Sequence, residues 1–421
     1  MKKEVKISEL RKVAVEYSSD VNVWDVLNEA HELYKAVKLV GLENVTTTYF
    51  DNDETVREKT GKDISKRVRA LAAYIMLHRL QMRDSSSSIG RLQTHFGGIS
   101  IEASVGYRLG VDSISLTSYS ILEIIEKYVG SAQGLRKEKD DRLWLTSLYE
   151  LVVKNSRYVD PFALWYECES LFETIVTVGL ENTTVTIDTY ESGNITFRER
   201  ETSFKGKEIP ERIRAFALFA VVHMYRLRED EDYLKDLQRR FGIGYSVRTV
   251  LGDTDIFKDR SDNLKCISLC EIVGRYFKEE RKRRIVTSAM YFQAPYDAIE
   301  MKKLDTNVTK NIYDLWAALD SFYKACKIVG VDNVLVKYTD ANKDATTVVG
   351  RKVAPRIRAF TEEAVLYMYR MNDSEGSRTR LERHLGLEYP SRYILGNTKV
   401  VCSSNNISMP CVSLKELVEE L

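Results

Sequence analysis

The sequence lacks most of the features that assign a function directly. Its 421 residues include only 6 prolines, and no apolar run approaches the ~18 residues that span a bilayer. The start, MKKEVKISELRKVAVEYSS, has no uninterrupted apolar stretch, so we expect neither a signal peptide nor a membrane partner. Phosphate-binding glycine loops and the HExxH, GxSxG and paired CxxC motifs are missing. We therefore expect a non-enzymatic protein with no catalytic residues, no metal site and no cofactor.

An excess of charge of one sign is also missing. Lysine and arginine number 63 against 62 aspartate and glutamate residues, which argues against a protein that coats nucleic acid by bulk charge. A local basic patch is still compatible with this balance. The six cysteines are scattered along the chain, which favours free thiols in a reducing compartment over a disulfide scaffold. We expect a cytoplasmic protein.

One motif occurs three times in the chain. It reads GKDISKRVRAL at 61–71, GKEIPERIRAF at 206–216 and GRKVAPRIRAF at 350–360. Its second arginines, Arg69, Arg214 and Arg358, stand 145 and 144 residues apart, which is the size of a domain and not of a solenoid repeat. We predict three tandem homologous repeat domains, at 1–133, 134–286 and 287–421.

The residues around each motif predict one common set of elements. An amphipathic helix before the motif ends at Gly41, Gly179 or Gly330, and an alternating β-rich stretch with a polar tip follows as a hairpin. After the motif comes a helix that, in the first two repeats, is apolar at almost every position past its first turn, which predicts burial on every side. Two short helices and a helix with a Ser-x-x-Glu capping box complete the unit. The predicted fold class is α+β, mainly α: each repeat is a helical bundle with a β-hairpin and a helix-turn-helix-like corner.

Basic residues crowd the start of the buried helix in each repeat. The start of a helix carries partial positive charge, so a cation there costs about 0.3–1 kcal/mol. Two interpretations remain open: acidic side chains of the chain pair with these groups, as Glu362 could do for Arg358, or the groups bind phosphate. The candidate phosphate-binding residues are Lys62, Arg67, Arg69, Lys207, Arg212, Arg214, Arg351, Arg356 and Arg358.

The short helices after the buried helix carry a further pattern. KDLQRRFGIGYSVRTVLG at 235–252 and RTRLERHLGLEYPSRYILG at 378–396 place apolar residues on both sides of Gly242 and Gly386. Both stretches resemble helix-turn-helix DNA-binding units. The resemblance implies that the second helix enters the major groove and that arginine there reads guanine. The candidate contacts are Arg239, Arg240, Tyr245, Arg248, Arg383, Tyr389 and Arg392. The first repeat departs from the pattern, with three extra residues and Gly106 in place of the arginine.

Two functions follow as hypotheses. The first is a double-stranded DNA-binding regulator of phage or mobile-element type, in which three domains in series each hold a part of the duplex. The second is a protein–protein interaction or assembly scaffold, for which the near-zero net charge and 24 tyrosines are suitable.

Overall fold

The computed structural model shows a mainly helical chain with small sheets, which confirms the expected fold class at this level. The second predicted domain boundary, at 286, lies outside the residues that the structure describes. Those residues are 3–50, 55–79, 86–109, 120–139, 141–193, 196–225, 231–252, 256, 268–278, 287–301, 308–369, 375–396, 413–419 and 421. We refer to 1–133, 134–286 and 287–421 as the first, second and third segments.

Each segment contains one three-stranded sheet in the described residues. Its middle strand pairs antiparallel with the strand that follows it and parallel with a short strand that precedes the first long helix. The antiparallel pairs are the predicted hairpins. The strands are β1 (Lys3–Lys6), β2 (Val45–Phe50), β3 (Val56–Thr60), β4 (Leu143–Trp144), β5 (Thr184–Gly193), β6 (Thr196–Lys205), β7 (Met290–Tyr291), β8 (Leu335–Thr339) and β9 (Ala345–Val349).

Two long helices form the centre of each segment, and both were expected from the sequence. The first helix ends at a glycine with φ near 80°, a backbone conformation that glycine adopts without strain. The second is buried along nearly its whole length, as the apolar pattern of the first two repeats predicts. The first helices are α2 (Val23–Val40), α8 (Pro161–Val178) and α14 (Val308–Val329); the core helices are α3 (Lys66–Arg79), α9 (Glu211–Tyr225) and α15 (Pro355–Tyr369).

Shorter helices complete each segment. Capping boxes hold the start of the last helix in the first and second segments, where the Ser120 and Ser268 side chains accept from the third helical N–H. The last helices are α6 (Ile121–Val129), α12 (Leu269–Tyr276) and α18 (Leu414–Glu419). The intervening ones are α4 (Ser86–His95), α5 (Tyr107–Leu109), α10 (Glu231–Arg240), α11 (Val247–Leu251), α16 (Glu375–His384) and α17 (Ser391–Leu395).

A short helix after the first strand of each sheet was not expected from the sequence. These helices are α1 (Ser8–Arg11), α7 (Thr146–Val152) and α13 (Gln293–Pro295). In two segments a buried glutamate of the long helix holds the start of this turn. Glu29 accepts from the Leu10 N–H at 2.8 Å, and Glu167 accepts from the Ser147 and Leu148 N–H groups at 2.9 and 2.7 Å.

The three segments close into a ring instead of standing in series. The last helix of each segment packs on the first long helix of the next: α6 on α8, α12 on α14, and α18 on α2. The long helices α2, α8 and α14 also contact one another at the centre. Hydrogen bonds follow the same cyclic order, since the Tyr34 hydroxyl donates to the Met368 carbonyl at 2.9 Å and Tyr323 to Met224 at 3.4 Å. The third segment is therefore a neighbour of the first.

Candidate nucleic-acid interface and central cavity

The second arginine of each repeated motif is buried. Arg69, Arg214 and Arg358 are 2%, 4% and 6% exposed, and burial lowers the pKa of each guanidinium group. Each Nε donates at 2.9 Å to a carbonyl just before the core helix, that of Ile64, Ile209 or Val353. These side chains are held inside the fold and have no surface on which to bind an external phosphate.

The partner of these arginines is neither of the two that the sequence suggested. Their Nη1 atoms donate to carbonyls at the end of the short helix that follows, through Phe96, Phe241 or Leu385 and Gly386. The end of a helix carries partial negative charge. The cation at the start of one helix is therefore compensated by the end of another, and neither a carboxylate nor a phosphate is required. This corrects the expected phosphate role of Arg69, Arg214 and Arg358.

Glu362 could have neutralised Arg358 on the first interpretation, but the structure shows no ion pair between these two residues. The Glu362 carboxylate is buried and lies 3.8 Å from Arg378 instead. Burial, followed by the neighbouring Glu363 and Glu382 carboxylates, raises the pKa of Glu362 to about 9. The pair of adjacent glutamates is thus a buried feature of the third segment alone.

The glycine that ends each short helix makes room for this contact. Gly97, Gly242 and Gly386 have φ of 84°, 59° and 64°. A Cβ on Gly97 would stand 2.7 Å from Nη1 of Arg69, and one on Gly242 would stand 2.9 Å from Nη1 of Arg214. The recurring glycine and the recurring arginine are therefore two halves of one packing arrangement.

The other basic residues of the motif lie at or near the surface. Lys62, Lys207 and Arg351 are exposed, and their stems lie against Gly97, Gly242 and Gly386. Lys62 is 4.0 Å from Glu43, and Arg351 forms an ion pair with Asp332, so acidic side chains of the chain do meet two of these cations. Such exposed pairs contribute about 0–1 kcal/mol and leave the cations accessible.

The remaining arginines of the motif are the first arginine of the Arg-x-Arg pair in each copy, and they differ from one another in exposure. Arg67 is exposed with its guanidinium 5.4 Å from the ring of Tyr17. Arg212 donates to the Tyr276 hydroxyl, and Arg356 is half-buried. None of the three is enclosed as Arg69 is.

The helix-turn-helix-like corners contain two helices at the expected places. However, α11 and α17 are five residues long, which gives about 7.5 Å of helix, and each packs on the core helix of its own segment. Tyr245 and Tyr389 precede them and are 71% and 67% exposed. Arg392 is exposed with its guanidinium 5.1 Å from the ring of Tyr393, while Arg248 is half-buried.

A shallow groove brings two of the predicted residues of the second segment together. It is lined by Arg212 and Tyr245 with Thr249, and its volume is about 390 Å³. On α10, Arg239 lies 3.1 Å from Asp236 and is exposed, and Arg240 is half-buried. Arg383 is exposed at the matching place on α16. Exposed predicted residues are therefore found at the corners of the second and third segments, and Lys62 and Arg67 are exposed in the first segment.

No protein-family model, curated protein or solved structure matches the chain. Its function must be inferred from these surfaces.

The described residues hold no group of three or more histidine, cysteine or acidic side chains that could bind a metal ion. No helix in the described ranges combines the length and the apolarity that crossing a bilayer requires.

Sequence reasoning missed a cavity where the three segments meet. It has a volume of about 320 Å³ and receives side chains from all of them, including His31, Glu169 and Asp320. These three occupy the same place in the aligned stretches that begin HELYKAVKLVG, ESLFETIVTVG and DSFYKACKIVG. The repeat alignment could have grouped them, but only ring closure brings them to one space.

Proposed function

We propose that this chain is a non-enzymatic nucleic-acid-binding protein built from three homologous repeats. The observation that carries the proposal is the exposed corner that occurs in both the second and the third segments. In each corner the aliphatic part of a lysine or arginine side chain lies against the glycine that follows the short helix. An exposed tyrosine comes three residues after that glycine, and an arginine comes three residues after the tyrosine. The two sets are Lys207, Gly242, Tyr245 and Arg248, and Arg351, Gly386, Tyr389 and Arg392.

This combination of side chains has two uses toward nucleic acid. Lysine and arginine contact phosphates without regard to sequence, and exposed aromatic rings stack on bases. Because α11 and α17 span only about 7.5 Å each, we propose contact through their first residues and the preceding tyrosine, without deep insertion of a helix into a groove. Duplex DNA is the first ligand to test, and single-stranded DNA is the comparison.

Fluorescence anisotropy with labelled 30-base-pair and 30-nucleotide DNA at about 50 mM salt tests the proposal. A variant with Tyr245→Ala, Arg248→Ala, Tyr389→Ala and Arg392→Ala should bind at least tenfold more weakly, because stacking and phosphate contacts are each worth about 1 kcal/mol or more. A matched control carries Tyr158→Ala, Tyr166→Ala, Arg136→Ala and Arg142→Ala, all exposed residues of the second segment that do not line the groove of Arg212 and Tyr245. Absence of binding below micromolar concentration, or equal loss in both variants, contradicts the proposal.

A protein partner is the second candidate, and a specific observation favours it. Several exposed cations already have a carboxylate of the chain nearby, including Lys62, Arg239 and Arg351, which weakens the positive field that draws nucleic acid. Tyrosine and arginine are also the side chains that dominate protein interfaces. A purified sample with a protein-like ratio of absorbance at 260 and 280 nm, and a partner retained at 0.5 M salt by wild type and control but lost by the corner variant, would favour this function.

A further inference from the structure

The central cavity contains opposite charges that the chain only partly pairs. Lys35, Arg79 and Lys324 line it together with three carboxylates, those of Glu169, Glu173 and Asp320. Its charge is therefore balanced, so a ligand that is itself neutral overall leaves that balance unchanged. The volume of about 320 Å³ lies at the lower end of ligand pockets and suits a molecule of roughly ten to fifteen non-hydrogen atoms.

Two of the cations are satisfied within the cavity. Arg79 of the first segment holds Glu173 of the second, with Nη2 and Nε at 2.6 and 3.2 Å from the same carboxylate oxygen. Lys324 lies 3.1 Å from Asp320, and Asp320 also accepts from the Tyr369 hydroxyl at 2.6 Å. These contacts fix the wall and leave little capacity for a ligand.

Lys35 and Glu169 are in a different position. Within the described residues the ion pair of Lys35 is with Glu32, which is 3.7 Å away and 48% exposed, and does not line the cavity. Glu169 accepts from the Tyr225 hydroxyl, and no cation of the described part of the chain lies within 4.0 Å of it. Among the residues that line the cavity, neither Lys35 nor Glu169 thus has a group of opposite charge within 4.0 Å, although the charge of Glu169 raises the pKa of both Arg79 and Lys324.

The asymmetry of the site arises from positions that are otherwise repeated. Two positions of the three aligned stretches line the cavity. The first holds His31, Glu169 and Asp320. The second, one helical turn later, holds Lys35, Glu173 and Lys324. Chemically different side chains at matching places turn a threefold arrangement into a cavity with distinct positive and negative groups. Aromatic and apolar side chains, among them Tyr34, Phe172 and Trp316, form the rest of the wall.

We propose that the central cavity binds a small zwitterion of the α-amino acid class. Its carboxylate pairs with Lys35, its ammonium group pairs with Glu169, and its side chain lies against Phe172 and Trp316. The proposal is independent of the corners, because none of the corner residues lines this cavity.

His31 supplies a reporter inside the site. Burial, with Arg79, Lys35 and Lys324 adding to it, holds the pKa of His31 well below its usual value, so the imidazole is neutral at pH 7. A ligand carboxylate among these cations should raise that pKa by offsetting their field. The chain has only five histidines, and the other four, His78, His95, His223 and His384, are buried away from the lining.

Calorimetric titration of the full chain with each of the twenty amino acids tests the proposal. For the best ligand, the analogue without the amine and the analogue without the carboxylate should each bind at least tenfold more weakly, and inorganic phosphate should not compete. Lys35→Met and Glu169→Gln should each weaken binding at least tenfold. The control Lys154→Met, which removes an exposed pair with Glu150 at 2.9 Å, should leave it unchanged. In nuclear magnetic resonance spectra the ligand should shift the His31 ring signal and raise its pKa.

Three results would overturn the proposal, and the first two need no variant. They are no binding below about 10 mM for any amino acid, equal binding of the acid-only or amine-only analogue, and unchanged affinity in folded Lys35→Met protein. In each case the charged groups would serve ring closure alone.

Discussion

At the scale of single residues, the chain compensates buried charge with backbone dipoles. Arg69 lies at the start of α3. Its guanidinium group donates to the carbonyl of Ile64, just before α3, and to the carbonyl of Phe96, at the end of α4. A guanidinium group has five N–H donors in a fixed plane, so it can serve several carbonyls at once, which lysine cannot do in this geometry. The arginine is thereby a structural bridge between two helices.

Replacement of this arginine should destabilise the protein strongly. Arg69→Met leaves buried carbonyls without donors and should lower the free energy of unfolding by about 3 kcal/mol. Arg67→Met, two residues earlier on an exposed position, is the control and should cost less than about 1 kcal/mol. Urea denaturation of both variants checks this, and equal effects would contradict the structural role of Arg69.

Glu362 should make stability depend on pH. Burial and the neighbouring Glu363 and Glu382 raise its pKa to about 9 against 4.5 in an unfolded chain, while Arg378 acts in the opposite direction. The folded state thus keeps a proton that the unfolded state releases, so this stabilisation is complete below pH 4.5 and is lost as pH rises through about 9.

Glu362→Gln should remove this loss, because glutamine resembles the protonated acid. The free energy of unfolding, measured by urea denaturation from pH 5 to pH 9, should fall less steeply in the variant, with a difference on the order of a few kcal/mol at pH 9. Glu150→Gln, at a partly exposed position on α7, should follow the wild-type curve. Parallel curves for wild type and Glu362→Gln would show that the carboxyl group titrates normally.

At the scale of elements, local capping sets where the last helix of each segment begins. The Ser268 hydroxyl accepts from the Glu271 N–H at 3.3 Å, and Glu271 accepts in return from the Ser268 N–H at 3.1 Å. The first residues of α12 would otherwise have free N–H donors. This fixed start matters because α12 packs on α14 of the next segment.

Loss of this cap should weaken the contact between two segments. Ser268→Ala should cost about 1 kcal/mol, since the N–H groups at the start of α12 lose their acceptor. Ser203→Ala, at an exposed position on β6, is the control and should cost less than about 0.5 kcal/mol. Thermal melting compares the two, and an effect no larger than that of Ser203→Ala would show that the cap is dispensable.

At the scale of the whole molecule, closure of the ring links the two ends of the sequence. Leu414, Leu417 and Val418 of α18 are buried, and α18 packs on α2. Side chains near residue 417 therefore shield from solvent a helix that begins at Val23. This contact covers an apolar face of α2. In a series of independent domains, that face would be exposed to water.

Leu417→Ala tests this closure. It should cost about 3 kcal/mol, because the side chain is 1% exposed and its loss leaves a cavity. Hydrogen exchange should increase in peptides from α2 as well as from α15, while peptides from α9 in the second segment serve as the internal control. An increase confined to the third segment would mean that the ring does not close in solution.

Local patterns were sufficient to predict the long helices, the hairpins and the capping boxes. Each depends on the spacing of apolar residues, a glycine stop or a serine–glutamate pair, and these act over less than two turns of chain. The strands β4 and β7 could not be predicted in this way, because two residues have no readable period and become strands only by pairing with β5 and β8. The sequence predicted the exposed corner residues as candidates. It could not predict which of the recurring arginines reach solvent.

The sequence by itself determined the elements and their threefold recurrence in spacing, since helix and hairpin formation follow from neighbouring residues. Only the tertiary structure decided that the ends of the chain meet, that Arg69, Arg214 and Arg358 serve carbonyls, and that Lys35 and Glu169 face one cavity. The physical reason is that these contacts join groups far apart in the chain. Their partners are backbone carbonyls or side chains of other segments, which no local pattern of residues specifies.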